Sequence, residues 1–243
     1  MDCSHVVALN FTGNGTTGSF FFLGAIGEPY VWSSSQWATS PMSPVSGALD
    51  SGNLDDAWPY IKEHCEKFPN MRGFAGWPYT LFYKQWDEDP EYDVKFIYWS
   101  RPAEDWAKVE FAFQLMRGIP PQVKQYFTIM DYFYGHRLSY SSDPIHWQLW
   151  VDKYKEYNNN VREYFLDKSN VLEIFPTSID YSGAAPLDIG NQICKFIGIE
   201  NVANVRYPGP GTAGGERAGL INSDGWDEKF TERWNVFSPQ VNW

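Results

Sequence analysis

Cysteine, histidine and basic residues are all scarce in this sequence. The 243 residues include 3 cysteines (Cys3, Cys65 and Cys194) and 4 histidines. The cysteines lie far apart, and no C-x-x-C or His/Cys cluster has the spacing of a zinc site, so no metal is expected. An odd, sparse set points to free thiols in a reducing compartment, and hence to a cytoplasmic location. Lys and Arg number 19 against 30 Asp and Glu, a net charge of −11. Nucleic acids and anionic membranes are bound through broad basic patches, so neither is an expected partner. A small anionic ligand needs only a few local donors and stays open. No apolar run is long enough to span a membrane, and the first residues lack the basic and apolar regions of a signal peptide. Asn10-Phe11-Thr12 and Asn14-Gly15-Thr16 match the glycosylation pattern by chance, since both fall in an expected strand and turn.

What is plentiful is aromatic surface: 18% of residues are Phe, Trp or Tyr, with 12 Trp. A chain of this size and composition buries a core, as one α/β domain over 1–243, two small domains being the alternative. Val6–Thr12, Asp93–Trp99 and Asn170–Phe175 read as strands, and Phe74–Pro78 as the end of a short one. Helices are expected over Phe20–Leu23, Ala57–Phe68, Thr80–Trp86, Pro102–Met116, Gln122–Tyr134, Trp147–Leu166, Leu187–Ile197 and Trp226–Phe237. Trp147, Trp150, Tyr154, Tyr157, Val161 and Tyr164 keep helical spacing, and Gly198 follows as a helix stop. The polar Ser/Pro-rich stretch 32–56 reads as a long loop or lid. The alternation predicts a three-layer α/β/α fold with a mainly parallel central sheet.

Three segments carry chemistry. The first is the strand, glycine-rich turn and apolar helix at the start. In Gly13-Asn14-Gly15-Thr16-Thr17-Gly18-Ser19, glycines let successive N–H groups point inward, and the helix that follows adds the positive end of its dipole. The spacing Gly13 to Gly18 meets half of a Walker A loop, but Ser19 stands where its lysine belongs, which disfavours ATP or GTP hydrolysis. The second is Lys95–Trp106, where a strand ends in Ser100-Arg101 and Pro102 opens a helix. Arg101 then sits at the carboxyl edge of the sheet, where open α/β sheets bind ligands, and a guanidinium grips phosphate through two parallel bonds. The plain alternative is a surface Arg paired with Glu104 or Asp105. The third is the segment 208–231, with Arg217 and Gly219 in a glycine-rich loop before Trp226–Thr231.

Taken in order, these segments resemble the sulfotransferases that use 3′-phosphoadenosine 5′-phosphosulfate. Gly15-Thr16-Thr17 is similar to the family's Gly-Thr-Thr core, Lys95–Trp106 to its strand-Arg-helix, and Arg217, Gly219 and Trp226–Thr231 to its closing segment. Tyr154–Asn158, Val161–Phe165, Val171–Ile174 and Ile193–Ile199 resemble stretches of bacterial-type members. The resemblance implies a P-loop-like fold and transfer of a sulfuryl group from that nucleotide, as co-substrate, to a hydroxyl or amine of a small-molecule, glycan or lipid acceptor. It implies that Gly13–Ser19 hold the 5′-phosphosulfate, that Arg101 holds the 3′-phosphate, and that Arg217 and Gly219 contact the nucleotide.

The match also departs from the family. Gly13 stands where a Lys or Arg is usual, and Val109 where a Ser follows the phosphate Arg; Ser100 is the nearby hydroxyl. Gly76-Trp77-Pro78 replaces a segment in which related proteins carry a His or Asp base, and Phe20-Phe21-Phe22 replaces the helix turn that carries Glu in others. No general base is carried over. His64, His136, His146, Glu28, Asp50, Asp55 and Asp56 are titratable groups with ordinary structural explanations. Trp32, Trp37, Trp58 and Trp77 fit an acceptor platform or, for most of them, packing. A sulfotransferase-fold protein that has lost catalysis and keeps a binding or structural role is the alternative.

Overall fold

The structure is a computed structural model, which describes residues 4–9, 30–32, 53–66, 73–76, 79–104, 106–107, 144–174 and 187–199. The glycine-rich segment Gly13–Ser19, the expected helices over Phe20–Leu23, Gln122–Tyr134 and Trp226–Phe237, and the segment 208–231 lie outside these residues. So do Glu28, Trp37, Asp50, Trp77, Val109 and His136.

Among the described residues, five strands form one sheet: β1 (Ser4–Leu9), β2 (Tyr30–Trp32), β3 (Gly73–Ala75), β4 (Asp93–Trp99) and β5 (Val171–Ile174). Every pairing is parallel and the order is β2-β3-β1-β4-β5. Helices fully bounded among the described residues are α1 (Leu54–Glu66), α2 (Tyr83–Glu88, entered through a 3₁₀ turn at Tyr79–Phe82), α3 (Pro144–Phe165) and α4 (Leu187–Ile197). The chain is of the α/β class. Parallel strands buried on both faces need near-continuous apolar runs, and the two central strands have them. Val7, Ala8 and Leu9 of β1 are fully buried, and Phe96, Ile97, Tyr98 and Trp99 of β4 are at most 3% exposed. Strand alternation divides these side chains between two clusters. Val7, Leu9, Phe96 and Tyr98 pack with Ala57 and Ile61 of α1 and Val151, Tyr154, Val161 and Phe165 of α3. Val6, Ile97, Trp99 and Ile174 pack with Ile193 and Cys194 of α4. Full burial of one such large apolar side chain stabilises by roughly 1.5–3 kcal/mol before conformational entropy is counted.

Local chemistry sets the element ends. α1 begins at Leu54 rather than at the expected Ala57, because Asn53 caps it: Asn53 Oδ1 accepts the Asp55 amide at 3.2 Å. Pro59 lies inside this helix without ending it. α3 begins at Pro144, whose fixed φ suits a first helical position, three residues before the expected Trp147. α4 ends in a Schellman motif. Gly198 adopts φ +83°, its amide bonds to Lys195 O at 3.3 Å, and the Ile199 amide bonds to Cys194 O at 2.9 Å. Lys95 of β4 closes the same end, donating to Phe196 O at 2.8 Å, where the helix dipole favours a cation. The expected loop over 32–56 is shorter at both ends, since Trp32 ends β2 and Leu54–Asp56 open α1. The strand Tyr30–Trp32 went unread because three residues carry too little period-2 pattern.

The amino end of the sheet is held by polar anchors. Asp87 Oδ1 accepts from Asn170 at 2.6 Å, and its other oxygen accepts from Tyr164 at 2.9 Å and from Lys168. Trp58 packs against Phe82, Trp86 and Tyr92, and donates through Nε1 to Asp89 at 3.0 Å. Of the four tryptophans considered for an acceptor platform, Trp58 is therefore a packing residue.

Candidate functional site

Among the described residues, the strand order has a point where the direction of the connections reverses. After β1 the chain runs to β2 on one side of the sheet, and after β4 it runs to β5 on the other. β1 and β4 are neighbours, so their outgoing connections diverge, and open α/β sheets bind ligands at the carboxyl ends of such a pair. The register makes the two ends level, with Leu9 opposite Tyr98. Two of the segments singled out in sequence begin here. Gly13 follows four residues after Leu9, and Arg101 follows two residues after Trp99. The topology thus brings the exits of their two strands together. Arg217 and Gly219 lie outside the described residues, as does the path of Gly13–Ser19.

The exit of β4 is firmly built. Ser100 is 1% exposed; its amide bonds to Ile174 O at 3.1 Å and its hydroxyl donates to Glu173 Oε1 at 2.6 Å. The same Glu173 oxygen accepts from Arg162 Nε at 3.0 Å and Nη2 at 2.8 Å. The hydrogen bond to Glu173 raises the Arg162 pKa, against the burial that lowers it, so the guanidinium stays charged. Arg162 also lies 5.9 Å from the Tyr98 ring centre. The Tyr98 hydroxyl donates to Asn158 Oδ1 in a buried bond, and burial, with Tyr157 and Tyr154 adding to it, pushes this phenol above its ordinary range. At Arg101 the backbone amide donates to the Tyr154 hydroxyl at 3.3 Å. The Tyr154 ring stacks on Trp106 at 4.3 Å, nearly parallel at 7°. The turn from β4 into the next helix begins with Trp106 N bonded to Pro102 O at 2.9 Å.

The Arg101 side chain itself is half-buried. Among the described residues it makes no ion pair. Of the two partners in the plain explanation of Arg101, Glu104 pairs with Lys155 at 2.7 Å, and Asp105 lies outside the described residues. A guanidinium at the end of a strand can grip an anion through two parallel bonds. Ser100 differs: its hydroxyl is donated to Glu173. Gly76 ends β3 at φ +77°, where its carbonyl accepts the Thr80 amide at 3.1 Å. A carboxylate residue at that position would be strained as well as absent from the sequence. Among the described residues no three His, Cys, Asp or Glu side chains gather to hold a metal ion. No described helix is long and apolar enough to cross a membrane. The Asp55 carboxylate, one of the titratable candidates, accepts from Gln85 at 2.8 Å on the first turn of α1.

Tyr154, Asn158, Arg162 and Glu173 were not singled out as site residues by sequence reasoning. Tyr154 appeared there as one member of an aromatic core stripe. The signal that marks the first three is their four-residue spacing, a polar row on one face of a helix. The chain matches no protein-family model and no curated protein.

Proposed function

We propose that this chain is a sulfotransferase that takes a sulfuryl group from 3′-phosphoadenosine 5′-phosphosulfate and passes it to a hydroxyl or amine acceptor. Its fold would be the three-layer, P-loop-like α/β/α build. One observation carries the reading: Arg101, half-buried and without an ion pair among the described residues, leaves the sheet beside the strand that leads into Gly13–Ser19, where diverging connections open a ligand crevice. In this reading Gly13, Asn14, Gly15, Thr16, Thr17, Gly18 and Ser19 offer backbone and hydroxyl donors to the 5′-phosphosulfate, Arg101 grips the 3′-phosphate, and Arg217 and Gly219 close over the nucleotide. The nucleotide supplies the sulfuryl group. The protein orients it and offsets charge on the departing phosphate through fixed N–H dipoles.

A second reading is a sulfotransferase-fold protein that binds an anion without turnover. The specific observations behind it are Ser100, engaged with Glu173, and Gly76, at φ +77° where related proteins place a base. Calorimetric titration with adenosine 3′,5′-bisphosphate tests both. Saturable binding, weakened at least tenfold (about 1.4 kcal/mol) by Arg101→Met, is expected for either reading. Transfer of radiolabelled sulfate to a panel of sugar, lipid and phenol acceptors then separates them. No heat beyond dilution at millimolar ligand would sink both.

A further inference from the structure

We infer that the polar row Tyr154–Asn158–Arg162 on α3 is a positioning frame for the Ser100–Arg101 turn, so that anion binding by Arg101 depends on a helix that need not touch the anion. The inference rests on the nucleotide reading above. Residues four apart share one face of a helix, and this face is otherwise apolar, with Val151, Val161 and Phe165 at most 4% exposed. Polar atoms on such a face are unfavourable unless each finds a partner. Tyr154 and Asn158 are buried, and their oxygens accept from the Arg101 amide and the Tyr98 hydroxyl at the carboxyl end of β4, while Arg162 stands at the exposed edge of the row.

Three ties join this row to the end of the strand. Arg162 holds Glu173, which accepts the Ser100 hydroxyl at 2.6 Å. Asn158 accepts the Tyr98 hydroxyl. Tyr154 accepts the Arg101 amide at 3.3 Å while its ring is fixed against Trp106. Residues 98, 100 and 101 are thus tied to α3 separately. If the contact served packing alone, apolar residues would fill it without the risk that unpaired polar groups carry. None of the three bonds engages the Arg101 guanidinium. They fix the backbone from which it projects, and a donor held in place before binding loses less freedom on binding. Tyr154 is accordingly a positioning residue.

The test uses Tyr154→Phe in the intact chain, which keeps the ring on Trp106 and removes the oxygen. Tyr157→Phe is the control. It removes a buried hydroxyl from the same helix, one bonded to Thr80. Two readouts are taken: hydrogen exchange of the Arg101 amide by NMR, and calorimetric affinity for adenosine 3′,5′-bisphosphate. In Tyr154→Phe the Arg101 amide exchanges about fivefold faster, after correction for global stability, and affinity falls about fivefold. Tyr157→Phe changes neither, although it melts earlier. In an Arg101→Met background Tyr154→Phe causes no further loss of affinity, as coupled residues require. Equal losses of affinity with and without Arg101, or an unchanged Arg101 amide, overturn the inference. A wild-type protein that does not bind the bisphosphate sinks the nucleotide reading instead, and the exchange readout still decides the frame.

Discussion

Asp87→Asn probes the anchor at the amino end of the sheet, opposite the candidate site. The Asp87 side chain is 10% exposed and accepts from Lys168, Tyr164 and Asn170. Burial alone pushes this carboxyl upward; the bonds from Lys168, Asn170 and Tyr164 outweigh it and hold the pKa below the ordinary carboxylate value. The folded pKa is therefore the lower of the two. The ionised group stabilises the fold fully above the unfolded value of roughly 3.9, and that contribution fades as pH falls through the folded value. Asparagine keeps the shape but turns a donor toward Lys168 or Asn170, so at least one charge-assisted bond is lost. Such a bond contributes about 1.5–3 kcal/mol. Lys168 is 35% exposed, so solvent screening places the loss near the lower end, roughly 2 kcal/mol. For a chain of 243 residues that is a Tm decrease of roughly 4–8 °C. Urea unfolding followed by tryptophan fluorescence measures it. The gap between wild type and variant is expected to hold from neutral pH down to about pH 5 and to narrow below about pH 4. A gap under about 0.5 kcal/mol at neutral pH, or one that persists unchanged into acid, refutes the reasoning.

Two further outcomes follow from the packing. Gly198→Ala is expected to lower stability by about 1 kcal/mol, read as a Tm shift of roughly 2–4 °C, because an alanine at φ +83° is strained. The nearest atom to its added carbon is Lys95 Nζ at 3.9 Å, ordinary contact, so a much larger loss would mean that the helix stop is held by something other than backbone conformation. Cys65 and Cys194 are buried, and burial pushes both thiols above their ordinary range. Under mildly alkaline conditions with a disulfide reagent, these two thiols are expected to react slowly in the native protein and rapidly once urea is added; fast native labelling of either, located by peptide mapping, contradicts the packing.

How much was legible in the sequence depended on how local the cause was. β4 was readable to the residue because Asp93–Trp99 is a dense apolar and aromatic run closed by Ser-Arg-Pro. Gly198 marked the end of α4 because a helix stop there needs a left-handed residue. The place of Arg101 just past the end of β4 was legible for the same local reason: it is the first cation after a strand. The start of α1 was misplaced because Asn53, which caps it, sits outside the apolar pattern that drew the boundary at Ala57. β2 is too short to show a period. The β4 exit network was not legible at all. Ser100 and Glu173 lie 73 positions apart, and Arg101 and Tyr154 lie 53 apart, so only the parallel sheet and its crossover helix bring them together. The aromatic spacing of α3 showed which face of the helix is buried, but gave no sign that the polar tips of that face reach the end of a strand.

The most direct test of the proposed nucleotide site is a crystal structure of the intact protein soaked with adenosine 3′,5′-bisphosphate. The expected result is a phosphate within hydrogen-bond distance of the Arg101 guanidinium, with the nucleotide lying across the carboxyl ends of β1 and β4. A nucleotide bound elsewhere, or an Arg101 that turns away from a ligand held in that crevice, would contradict it.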